Sequence, residues 1–177
     1  TSSPVRNFEE LTSDVVMIAV GRHHSLLLKK DGTVYATGKN HRGQLGLGNT
    51  LSVSSLRPVS DEVISIEAVG DHSFFTTFDN RLWAFGDNQA GQLGLSKSTN
   101  PNVYSSATFV TENVKSVYSS VSSSFLINDS GKIFVAGKND FAQLGLGHSN
   151  TITGLVELTG SIKSIIPGVD HSFFLMN

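Results

Sequence analysis

Six histidines are the side chains best suited to acid–base or metal chemistry near neutral pH, and three of them stand in register. His24, His72 and His171 each open a His-Ser word, and Ser123-Ser124 takes the same place in another copy. A metal site or a general base needs groups that converge on one point. A residue recurring once per repeat does the opposite, so the three rings are expected to lie apart, their nitrogens bonded to backbone within their own repeat. No nucleophile elbow, zinc-protease helix motif or phosphate loop occurs. The Gly-rich strings GKNHRGQLGLG and GKNDFAQLGLG follow strand-like segments and lead into no helix, which argues against a phosphate cradle. Asp61-Glu62 falls between repeats and reads as a solvated pair. The sequon Asn128-Asp129-Ser130 sits on an expected turn, and we read it as chance. The expectation is a non-enzymatic protein with no cofactor and no metal.

The elements that position these residues are legible from repetition. GKNHRGQLGLG at 38–48 returns as GDNQAGQLGLS at 86–96 and GKNDFAQLGLG at 137–147. Its glutamines, Gln44, Gln92 and Gln143, are spaced by 48 and 51 residues. Before each His-Ser word (or Ser123-Ser124) stand aliphatic residues in fixed register: Val15, Val63, Val114 and Ile162, then Ile18, Ile66, Val117 and Ile165. Between that word and the next Gly lies a two-residue break: Asp31-Gly32, Asp79-Asn80 or Ser130-Gly131. Such pairs can hold the positive φ of a tight hairpin turn. The flanks (SLLLKK and TVYATG, SFFTTF and RLWAFG, SFLIND and KIFVAG) are apolar, β-branched and aromatic, hence strands. Tyr35, Trp83 and Phe134 occupy matched places and predict one packed layer filled repeatedly. Leu45 and Leu47, Leu93 and Leu95, and Leu144 and Leu146 are expected to plug between neighbouring units.

No segment shows a helical period with caps. About four short strands per unit at a period near fifty residues predict an all-β fold of propeller blades. The units are drawn at 1–56, 57–106, 107–154 and, incomplete, 155–177. A propeller needs at least about four blades, so a partial ring is expected. Its open edge would be covered by a second copy or by a further chain segment.

Composition narrows the classes further. The 177 residues include no cysteine, which excludes disulfides, thiolate metal sites and thiol nucleophiles. No apolar run is long enough for a membrane helix. TSSPVRNFEE does not read as a signal peptide, and an intracellular chain, cytoplasmic or nuclear, is expected. The formal net charge of −2 argues against general binding to nucleic acid. Charge is unevenly spread. Residues 21–57 hold Arg22, Lys29, Lys30, Lys39, Arg42 and Arg57 against Asp31 alone. Residues 58–112 hold Asp61, Glu62, Glu67, Asp71, Asp79, Asp87 and Glu112 against Arg81 and Lys97. Neighbouring units of opposite sign make a lateral dipole that either stabilises their contact or steers a charged partner.

The repeated words, the aliphatic register before His-Ser and the G-x-N-x-x-G-Q-L-G-x-G string, resemble the repeats of the regulator of chromosome condensation family across about residues 4–177. Three departures stand out: Gly70 is two places before His72 where Gly21 is three before His24, Ser123 replaces the His, and Ala142 replaces the Gly. The resemblance implies a seven-bladed ring and a protein-binding role, either as an interaction scaffold or as a nucleotide exchange factor for a small GTPase. The family's exchange factor works through a protruding hairpin, and the regular repeat period leaves no room for one here. The family's nucleosome binder uses a basic N-terminal tail, whereas Arg6 here faces Glu9, Glu10 and Asp14. A repeat fixes its scaffold positions and frees its loop positions. The expected partner-binding residues are therefore the variable ones: Arg22, His23 and Asp71 before the His-Ser words, and His41, Arg42, Gln89, Asp140 and Phe141 in the loops after the hairpins. Phe141 reads equally as an interface anchor or as a ring folded over its own blade.

Overall fold

The computed structural model describes residues 11–96, 102–160 and 162–176, and all its regular elements are strands. The first sheet pairs β1 (Val15–Val20), β2 (His24–Lys29), β3 (Val34–Gly38) and β4 (Val53–Ser60). The second pairs β5 (Val63–Val69), β6 (His72–Thr77), β7 (Leu82–Asp87) and β8 (Val103–Thr111). The third pairs β9 (Val114–Ser119), β10 (Ser123–Asn128), β11 (Ile133–Gly137) and β12 (Ile152–Leu158). A fourth pairs β13 (Ile162–Pro167) with β14 (Ser172–Met176). Every pairing is antiparallel between neighbours in sequence. These are successive propeller blades. The unit boundaries drawn from repeat spacing fall within the outer strands β4, β8 and β12.

The hairpins form where the two-residue breaks stand. Gly32, Asn80 and Gly131 take φ of 86°, 58° and 79°. The Gly32 N–H closes the first turn on the Lys29 carbonyl at 3.0 Å. Burial shows how the blades stack. In β2 burial alternates, as in a strand covered on one face. In β6 five successive residues are buried, because a blade lies against each face.

Each apolar core therefore lies between blades. Leu26, Leu28, Val34, Ala36 and Leu45 of the first blade meet Val63, Ile66, Ala68, Phe75 and Phe85 of the second. Phe74, Leu82, Ala84 and Leu93 meet Val114 and Leu126 of the third. Phe125, Ile133, Val135 and Leu144 meet Ile165, with Phe174 alongside. The expected leucine plugs are in place. Leu45, Leu93 and Leu144 are at most 1% exposed, and Leu47, Leu95 and Leu146 flank the same cores. Burying one such Leu or Phe stabilises by about 1.5–3 kcal/mol. The aromatic layer is filled at two of its three places: Trp83 packs on the first core, 6.3 Å from the stacked ring of Phe75, and Phe134 packs on the second, whereas Tyr35 joins none of the three cores among the described residues and lies under Lys29 Nζ at 5.3 Å.

Two faces lack a neighbouring blade among the described residues. Ile18 is 66% exposed, yet its repeat counterparts Ile66 and Ile165 are buried. Phe173 is 68% exposed, yet its counterparts Leu26, Phe74 and Phe125 are buried. Among the described residues no helix is long and apolar enough to cross a membrane.

Candidate functional site

Between β3 and β4, between β7 and β8, and between β11 and β12, the G-x-N-x-x-[GA]-Q-L string builds the same loop. Asn40, Asn88 and Asn139 accept, through Oδ1, the N–H of Leu45, Leu93 and Leu144 at 2.9–3.0 Å. Gln44, Gln92 and Gln143 accept, through Oε1, the N–H of Arg42, Ala90 and Phe141 at 2.9–3.0 Å. These amides satisfy backbone donors that no strand reaches. Of the intervening residues, His41, Gln89, Asp140 and Phe141 are exposed and Arg42 and Ala90 half-buried.

Those loops also tie blades together. The Gly48 N–H donates to the Ser105 carbonyl of β8 at 2.8 Å. Below the loop, Ser73 Oγ donates to the Gln44 carbonyl at 3.0 Å and lies 2.8 Å from His24 Nε2. His24 is thus held by the neighbouring blade, and not by backbone of its own as its register suggests. The ring nitrogens of His72 have no hydrogen-bond partner among the described residues. Burial drives the His24 pKa down to about 4, with Asp71 opposing, and that of His72 to about 3. Both rings are neutral at physiological pH. Among the described residues no group of three or more His, Cys, Asp and Glu could hold a metal ion.

One groove of about 260 Å³ opens on this loop face at the junction of the first two blades, lined by Arg22, His23, Lys39, His41, Arg42, Gln44 and Asp71. Five of the eight residues expected from loop variability thus come together: Arg22, His23, His41, Arg42 and Asp71. Their positions have local causes. The Arg22 N–H is bonded to the Gly70 carbonyl at 2.8 Å, and the Lys39 N–H to the His23 carbonyl at 2.9 Å. The two lips of the groove are therefore pinned together. Gln44 Nε2 donates to Asp71 Oδ1 at 3.2 Å. Arg42 Nε stands 4.0 Å from Asp87 Oδ1, beyond hydrogen-bond range. Burial raises the Asp87 pKa, opposed by its bond from Gln92 and by Arg42. Among the described residues no ion pair reaches Arg22 or Lys39.

The other expected residues lie elsewhere. Gln89 is exposed in the loop of the second blade. Asp140 and Phe141 are on the third blade, where Lys138 Nζ lies 3.4 Å from Asp140 Oδ2 and 5.8 Å from the centre of the Phe141 ring. Phe141 is 66% exposed, so it does not fold over its blade. Loop variability alone did not nominate Lys39 or Gln44. Lys39 had a usable signal, since its matched residue in the second blade is Asp87. Gln44 had none, being part of the invariant word. Arg6, Glu9 and Glu10, weighed as a tail, lie outside the described residues.

Four-stranded antiparallel sheets stacked face to face in chain order define β-propeller blades, and the solved structures agree. Yeast RCC1 (Prp20), determined bound to Kap60, superposes with a TM-score of 0.80 at 24% identity, over 97% of this chain and 43% of that one. Models of the regulator of chromosome condensation (RCC1) repeat match residues 15–44, 63–92 and 31–76. Residues 15–92 carry repeats of the regulator of chromosome condensation family. Among curated relatives, the human X-linked retinitis pigmentosa GTPase regulator is 46% identical over 46 residues, 26% of this chain and 4% of that protein. The Xenopus laevis protein RCC2 homolog is 55% identical over 42 residues, 23% of this chain and 8% of that protein. The chain thus matches small parts of these relatives and under half of yeast RCC1.

Proposed function

We propose that this chain is a non-catalytic protein-interaction module whose partner is read by the variable loops of the blades. The observation behind it is a division of labour. The Asn and Gln amides hold three loops in one conformation, while the residues between them change from blade to blade. A rigid frame with side chains that vary from blade to blade suits recognition. The groove of the first two blades is its main contact, with Gln89, Asp140 and Phe141 extending the surface around the ring. The faces bearing Ile18 and Phe173 are proposed to receive a further blade, from a second copy or from more of the same protein, since equivalent residues elsewhere are buried by one. An intracellular setting, cytoplasmic or nuclear, fits this reading.

Exchange activity on a small GTPase is the second reading. It is favoured by the relatives, among them a GTPase regulator and Prp20p, the latter studied for its binding to Gsp1p and histones. Against it, among the described residues every strand belongs to one of the four sheets, so no extra hairpin stands out to displace a nucleotide. Nucleotide release from a panel of small GTPases separates the two. The module reading expects no acceleration at catalytic amounts. Acceleration that is lost in an Arg22→Ala, Arg42→Ala variant would establish exchange instead.

A further inference from the structure

We infer that the groove between the first two blades binds an acidic peptide segment of a protein partner, with Arg22, Lys39 and Arg42 receiving its carboxylates. This deepens the interaction reading and rests on it. The repeat supplies an internal control. At the matched positions of Arg22, Lys39 and Arg42 the second blade has Gly70, Asp87 and Ala90, and the third has Val121, Lys138 and Phe141. All three blades build the same four-stranded sheet and the same loop bonds. The three cations of the first blade are therefore not required by the fold.

Two of these cations, Arg22 and Lys39, have no ion-pair partner among the described residues, and Arg42 has only a long contact to Asp87. The one carboxylate lining the groove, Asp71, is engaged by Gln44. Three cations thus stand against one lining carboxylate, which keeps its charge while accepting from Gln44, so the concave site is net positive and an anionic group is its complement. Arginine forks favour planar carboxylates in bidentate geometry. The neighbouring acids decide the class of partner. Asp71 lines the groove and Asp87 flanks it, and both would repel a continuous phosphate backbone running onto the second blade. A peptide can place acids over the first blade and a neutral or basic residue over the second.

Direct titration tests this, using a short glutamate-rich peptide, its glutamine counterpart, inorganic phosphate and a DNA duplex as probes. The glutamate peptide should bind, the glutamine peptide should not, and Arg22→Ala and Arg42→Ala should each weaken binding about tenfold. Added salt should weaken it further. Absent binding of the glutamate peptide, indifference to both substitutions, or tighter binding of phosphate or DNA would overturn the inference. A random peptide display on the full chain separates this from failure of the broader reading. Enriched peptides that bind regardless of Arg22 and Arg42 would refute the acidic specificity and leave the interaction role standing. Enrichment of no peptide at all would count against both. Both variants should keep the β-sheet circular dichroism, because Arg22 is exposed and Arg42 half-buried.

Discussion

His24 of the first blade and Ser73 of the second share a buried hydrogen bond, Nε2 to Oγ, of 2.8 Å. Ser73 has one proton, and its bond to the Gln44 carbonyl at 3.0 Å uses it. His24 Nε2 must then be the donor, which leaves Nδ1 as the bare nitrogen, buried and without a partner. Serine thus joins a ring of one blade to the loop of that same blade through the body of the next. Ser73→Ala strands both a donor and an acceptor at this junction. The expected loss is about 2–3 kcal/mol in urea denaturation. Ser124→Ala, which strands only the Gln92 carbonyl, should cost about 1 kcal/mol. Equal losses would show that the His24 bond contributes nothing.

Acid should weaken the fold well above the carboxylate range. His24 and His72 have folded-state pKa values of about 4 and about 3, against 6.5 when unfolded, with burial the main cause. Below 6.5 the unfolded chain therefore binds more protons, and stability falls as pH drops. It is fully present above 6.5 and declines as the pH falls toward about 4 for His24 and about 3 for His72, by about 3 and about 5 kcal/mol in turn. Glu67 and Asp87, raised by burial, oppose this in part. Denaturation midpoints from pH 7 down to 4 should show the slope, and His72→Asn should flatten it. A profile unchanged by that substitution would refute the assignment.

The glycine word has unequal stakes in different blades. Gly43 has φ of 74°, and a Cβ there would sit 2.6 Å from Ser105 Cα of the next blade's outer strand. Ala142 holds the matched place in the third blade with φ of 56°. Gly43→Ala must push β8 away and should cost about 2–4 kcal/mol. Ala142→Gly should instead stabilise by up to about 1 kcal/mol, since it relieves the left-handed strain. Thermal melts of the two variants check this, and a Gly43→Ala variant as stable as the parent would refute the close approach.

The two open faces should make the chain associate. Ile18→Lys together with Phe173→Lys touches only exposed side chains and should change stability by about 0.5 kcal/mol or less. It should lower self-association in sedimentation velocity, because large exposed apolar patches drive contact. Association that is indifferent to both substitutions would remove these faces from the account.

Much of this was legible because a repeat compares a sequence with itself. Hairpin turns at Gly32, Asn80 and Gly131 follow from residue types that tolerate positive φ. The plugs Leu45, Leu93 and Leu144 follow from identical spacing. The partner of His24 was not legible, because matching positions align residues within units and say nothing about contacts across them. The outer strands were blurred for a different reason. β4 and β8 show mostly intermediate or exposed burial, so their apolar pattern is weak and does not mark where one unit ends. The groove was half legible. Variability picked out Arg22, His23, His41, Arg42 and Asp71, but their convergence depends on bonds such as Arg22 N–H to the Gly70 carbonyl, which no single repeat contains.

The claim underlying the rest is that the scaffold and the recognition surface occupy separate positions of the repeat. It is tested most directly by replacing Arg22 with Val, Lys39 with Asp, His41 with Gln and Arg42 with Ala, each the residue another blade carries at that place. Urea denaturation and glutamate-peptide titration are then run on the same preparation. The variant should stay within about 1 kcal/mol of the parent in stability, with peptide binding abolished. A chain that unfolds, or one that binds the peptide as before, would contradict it.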